Sequence, residues 1–224
     1  MTNRIIIICE GDSEVAYLRQ LQRFLDSEND KRPLAFFPKS AENGCFKSVM
    51  RTWRKVKEII RWRKKKPRCA IWVDYDLYYR NTGWCMTKYR RSRFKALYFS
   101  FYNFEDFLIL HYPDDTVKRW KTLFAPTRHF KKPLHSDEHL RQFKRLFPNY
   151  KKGEIPFSVF SWTSLTRLKA NLKNRIISPP RGSARNDFAT LLIATLEAAY
   201  PDRMAPWISR RQPAPYDESS VCGC

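Results

Sequence analysis

The hydrophobic pattern changes period several times along the chain, and each change predicts an element. Arg4 to Cys9, an isoleucine run stopped by Glu10 and Gly11, has no polar alternation and reads as a strand buried on both faces of a parallel sheet. Asp12 or Ser13 then caps a helix reaching Phe24 to Asp26, because Val15, Ala16, Leu18, Leu21, Phe24 and Leu25 recur at helical spacing. PLAFFPK (33–39) is a second strand, shortened by its prolines. Residues 46–64 put Val49, Trp53, Val56, Ile59 and Ile60 on one face and a dense Lys/Arg set on the other, the pattern of an amphipathic basic helix. CAIWVDYD (69–76) and FKALYFSF (94–101) are third and fourth strands, and Asn103 opens a helix over 103–112.

Strands and helices in this order predict an α/β core over residues 1–112, a Rossmannoid with a mostly parallel central sheet flanked by helices. From about Pro113 the pattern turns helical and strongly basic, with helices expected at 115–124, 136–147, 162–175 and 185–199. Residues 113–200 therefore read as a basic helical elaboration packed on the core. Residues 201–224, rich in Pro, Ser and Arg, read as a poorly ordered or loosely docked tail.

Charge narrows the partners. With 43 Lys+Arg against 22 Asp+Glu the formal charge is +21, so nucleic acid, either DNA or RNA with tRNA included, is the first partner to consider. Basic residues mix with aromatics at 51–68, 88–95, 128–132 and 141–152, a combination suited to phosphate neutralisation and base stacking. Candidate contacts are Arg54, Lys55, Arg61, Arg63, Lys64, Arg90, Arg91, Arg93, Lys151 and Lys152. Any one stretch is equally a solvated helix face.

No apolar run approaches the roughly 18 residues of a membrane span. The cysteines Cys9, Cys45, Cys69, Cys85, Cys222 and Cys224 form no CxxC pair, and the N-terminus has no signal-peptide pattern, so a reducing cytoplasm is expected. A frayed terminus argues against metal binding by Cys222-Gly223-Cys224. His129, His135 and His139 lack the HExxH arrangement and read as solvated histidines. No GxxxxGK[ST] loop is present, so ATP hydrolysis would fall to a partner ATPase or another subunit.

The acids follow one rim. Parallel strands deliver their carboxyl ends to the same edge of a sheet, where the ligand crevice of open α/β folds lies. Glu10 follows the first strand, Asp74 and Asp76 the third, and Glu105 the fourth. Strand alternation puts the Asp74 and Asp76 side chains on one side, with Tyr75 on the other. Carboxylates gathered there repel one another unless a cation sits among them, and hard oxygen donors suit Mg²⁺ or Mn²⁺. Asp12, Ser13 and Glu14 also suit a helix N-terminus electrostatically.

IIIICEGDSEVAYL followed by AIWVDYD resembles the Toprim domain of topoisomerases, primases and related nucleases, marked by a hydrophobic strand ending in Glu-Gly and a later one ending in Asp-x-Asp. More narrowly, CEGDSEVAYL, DYDLYYR, FSFYNFEDFLILHY and YKKG occur in the order expected of RloB-like proteins, a Toprim family associated with bacterial defence and restriction loci. The resemblance covers residues 3–153, with a weaker echo at 185–200. It implies a divalent-metal-dependent nuclease in anti-phage defence. Glu10 takes the general acid/base position, Asp74 and Asp76 coordinate the ion, Glu105 matches the family's Phe-Glu element, and His111 matches the histidine that follows it. The catalytic set is then Glu10, Asp74, Asp76 and Glu105, and the metal set Glu10, Asp74, Asp76 and Glu14. Two departures stand out: Tyr78 occupies the third place of an extended Asp-x-Asp-x-Asp, and Asp106-Phe107 is more polar than related sequences. Two other readings remain, a non-catalytic nucleic-acid-binding or regulatory effector module, and a receiver-like phosphoacceptor that Glu10-Gly11 fits poorly.

Overall fold

The computed structural model describes residues 3–28, 33–41, 46–62, 67–74, 96–100, 103–124, 136–174 and 187–205. At its centre is a four-stranded, all-parallel sheet in the order β2-β1-β3-β4, with β1 Asn3–Cys9, β2 Leu34–Ser40, β3 Arg68–Asp74 and β4 Leu97–Ser100. The expected α/β class is therefore the observed one. Pro38 lies within β2, opposite Ile7, and is tolerated because β2 is an edge strand.

The isoleucine run serves both faces of the sheet. Ile5, Ile7 and Cys9 face α1 (Asp12–Glu28), whose Val15, Leu18, Leu21 and Leu25 are buried in the same cluster. Ile8, together with Ile71, Val73, Leu97 and Phe99 from the neighbouring strands, faces α2 (Phe46–Arg61), which covers them with Val49, Trp53, Val56 and Ile60. Period-two alternation is thus preserved, but both registers are apolar.

After β4 come α3 (Phe104–Leu108), a 3₁₀ turn at Ile109–His111, α4 (Asp114–Phe124), α5 (Ser136–Leu146), α6 (Trp162–Asn171), α7 (Phe188–Ala199) and α8 (Pro201–Met204). Their starts carry side-chain caps where the sequence supplies them. Asn103 accepts the Asp106 N–H at 3.3 Å, Ser161 and Ser164 form a reciprocal capping box, and Asp187 accepts the Thr190 N–H at 2.7 Å. The composition change near residue 113 does not separate two cores. Trp120, Phe143, Leu165, Phe188 and Met204 belong to the same buried cluster as Ile5 and Ile7.

The beginning of the expected tail is corrected by this packing. Residues 201–204 form a helix with Met204 buried, and Pro201 opens it because the first helical position needs no N–H donor. The rest of the expected tail, from 206, lies outside the described residues.

Candidate active site

Glu10 emerges directly from β1 and is fixed at both ends. Its N–H donates to the Trp72 carbonyl at 3.1 Å, and its Oε2 accepts the Asp74 N–H at 2.8 Å. The bond spans the carboxyl ends of β1 and β3, the point where the strand order reverses and where open α/β sheets hold their ligands. Beneath it, Trp72 stacks on Phe188 with ring centroids 3.7 Å apart and donates its indole N–H to Ser100 at 2.8 Å. That indole anchors the floor of the rim.

Glu14 adds a second, more deeply buried carboxylate. It is the third residue of α1, and it reaches back to the Gly11 N–H while also accepting its own, as in half of a capping box. A Cβ at position 11 would stand 3.2 Å from Glu14 Oε2, so glycine lets the carboxylate approach this closely. Burial is the main reason that the Glu14 pKa rises to about 7, and the Glu105 charge adds to it while Lys152 and the two N–H groups oppose it.

Glu105, on α3, is buried and accepts the Tyr150 hydroxyl at 3.2 Å. Tyr150 is pushed well above its ordinary value, first by burial and then by Glu105, Glu14 and Asp74. These side chains therefore share one electrostatic environment, with Lys152 at its margin. Cys9 is buried beside it, and burial together with Glu14 raises its thiol pKa, so a thiolate nucleophile is disfavoured.

The structure brings together Glu10 and Asp74 by a hydrogen bond, and Glu14 and Glu105 by charge. Asp76 lies outside the described residues. The donor set is oxygen-only and self-repelling, the right chemistry for Mg²⁺ or Mn²⁺. Among the described residues, however, no group of three His, Cys, Asp or Glu side chains could hold a metal ion.

Two histidines have environments that the sequence did not reveal. His111 is buried in the core, 2.9 Å from the Tyr17 hydroxyl through Nε2 and flanked by Phe107 and Phe160. Its pKa is lowered by burial to about 3, so the ring is neutral at working pH. The expectation of a solvated His139 is overturned: it is buried against Trp120, with Nε2 3.5 Å from Asp106 Oδ2. Burial, helped by Lys152, lowers its pKa to about 3, so the contact with Asp106 is not an ion pair near neutrality. Asp106 also accepts the Trp120 indole N–H at 2.7 Å, which explains the polar residue in α3. His129 and His135 lie outside the described residues.

Of the basic candidates, Arg54, Lys55 and Arg61 are exposed on α2, and Lys151 and Lys152 are exposed next to Tyr150. Arg63, Lys64, Arg90, Arg91 and Arg93 lie outside the described residues. Trp62, 81% exposed, continues the basic face of α2 with the Arg61 guanidinium 5.3 Å from its ring centroid. Among the described residues no helix is long and apolar enough to cross a membrane. Tyr150 opens the YKKG segment, but nothing in the sequence spacing links it to Glu105.

Comparison with known proteins gives no match, whether to a family model, a curated protein or a solved structure.

Proposed function

We propose that this protein is a divalent-metal-dependent nuclease of Toprim type, hydrolysing phosphodiesters of DNA or RNA at the carboxyl ends of β1 and β3. The observation that carries the reading is the Glu10–Asp74 hydrogen bond at the carboxyl ends of β1 and β3, with Glu14, Glu105 and Asp74 sharing one electrostatic environment around Tyr150, in a chain of net charge +21. The Glu10 carboxylate contributes a hydrogen bond at the end of β3, and phosphodiester cleavage makes further use of carboxylates placed there. The sequence resemblance to RloB-like proteins favours the same chemistry and a setting in anti-phage defence.

Asp74 and Asp76 would hold Mg²⁺ or Mn²⁺, with Glu10 and Glu14 as further oxygen donors. Such an ion, when bound, offsets the charge that builds up on the phosphate and acidifies water. Glu10 is the proton carrier, its carboxylate oriented by the Asp74 N–H on Oε2. Tyr150 holds Glu105 in place through Oε1. The basic faces around Arg54, Lys55, Arg61, Lys151 and Lys152 offset the repulsion between an acidic rim and a polyanion.

Incubation of the protein with DNA, RNA and tRNA in Mg²⁺, Mn²⁺ or EDTA tests this. Metal-dependent cutting supports it, and binding without cutting under any metal favours the non-catalytic effector module instead.

A further inference from the structure

A cavity of about 750 Å³ opens between α1 and the segment that follows α5. Its size falls within the roughly 300–1,000 Å³ of small-ligand pockets. Arg19 and Arg23, one helical turn apart on α1, line one wall with exposed side chains. Aromatic surface comes from Tyr112, Phe147 and Phe157. Tyr112 and Phe147 pack at 4.5 Å between ring centroids, and Phe157 is 49% exposed. The acid of the lining, Glu154, has Lys151 Nζ 3.6 Å away, so the two arginines dominate the local charge. Gly153, at φ 85°, makes the tight turn that brings Glu154 back to Lys151.

Tyr150 couples the cavity to the rim, since it lines the former and donates its hydroxyl to Glu105 in the latter. We infer that the cavity receives one unpaired nucleotide of the nucleic-acid strand whose backbone reaches the carboxylates, an extension that rests on the nuclease reading. Guanidinium groups match a phosphate in shape and charge, and exposed aromatic faces take a base without demanding its sequence. A base stacked inside a duplex presents no free face to such a recess and would have to be extruded. The substrate is accordingly single-stranded or locally opened.

The test is binding of a labelled single-stranded oligonucleotide to the full chain in EDTA, followed by fluorescence anisotropy across a salt series. The Arg19→Ala/Arg23→Ala double variant should bind at least about tenfold more weakly, with a log–log salt slope shallower by about 1.4 for two lost phosphate contacts. Phe157→Ala should weaken binding several-fold with an unchanged slope. All three substituted side chains are exposed, and thermal unfolding of the variants checks that they remain folded. A blunt duplex and free AMP should compete poorly. Variants that bind within twofold of wild type, or equal competition by duplex or AMP, would overturn the inference. Cutting is scored separately in Mg²⁺. Weakened binding by these variants without any cutting by wild type leaves the cavity assignment standing and ends the nuclease reading; cutting with unaltered binding does the reverse.

Discussion

The Glu10 carboxylate accepts the main-chain N–H of Asp74 at 2.8 Å, so a side chain from the end of β1 completes the hydrogen bonding at the end of β3. Both residues are half-buried. Glu10→Gln keeps an acceptor there and should leave stability within about 1 kcal/mol of wild type, whereas Glu10→Ala strands the donor and should cost about 1–3 kcal/mol. Urea unfolding of the two variants measures the difference, and equal stabilities would show that the bond contributes nothing to folding.

Glu14 makes a pH prediction whose sign follows from the direction of its shift. Its folded pKa is about 7, above the ordinary value of 4.5, so the folded state holds a proton that the unfolded chain has released. The associated stability is present below about pH 4.5 and is lost as pH rises through 7, at a slope of at most about 1.4 kcal/mol per pH unit. Glu14→Gln in EDTA should flatten that part of the stability profile. A divalent ion taking Glu14 as a ligand must displace the proton, so Mg²⁺ should raise the melting temperature more at pH 8 than at pH 6. An equal Mg²⁺ effect at both pH values would remove Glu14 from the ligand set.

His111 is expected to stay neutral from pH 5 to 8, because burial lowers its pKa to about 3. Imidazole NMR signals should therefore not move across that range. Tyr17→Phe, which deletes the hydroxyl bonded to Nε2, should cost about 1 kcal/mol without giving the ring a titration near neutrality. A His111 titrating near pH 6.5 would restore it as a candidate proton carrier.

How far the sequence is readable depends on the range of the forces involved. The isoleucine run, the amphipathic face of α2 and the Asn103 cap are local signals, and the elements they mark form, although Ile59, expected on the apolar face of α2, is 62% exposed. Glu10 and Asp74 could be paired in advance because parallel strands bring their carboxyl ends to one edge. The knot of Asp106, Trp120 and His139 could not, since its members come from three different helices whose packing decides the contact. The same holds for Tyr150 on Glu105 and for Asn171, whose amide donates to the Leu110 and Tyr112 carbonyls at 3.0 and 2.9 Å. At residues 201–204 composition pointed to a tail, while the burial of Met204 against the core decided for a helix.

The most direct measurement is cleavage of single-stranded DNA and RNA by wild type, Glu10→Gln and Asp74→Asn in Mg²⁺, with nucleic-acid binding recorded on the same samples. Wild type should cut and EDTA should stop it, while both variants should lose at least about a hundredfold in rate with binding intact. Variants that cut as fast as wild type would contradict the assignment of the reaction to this rim.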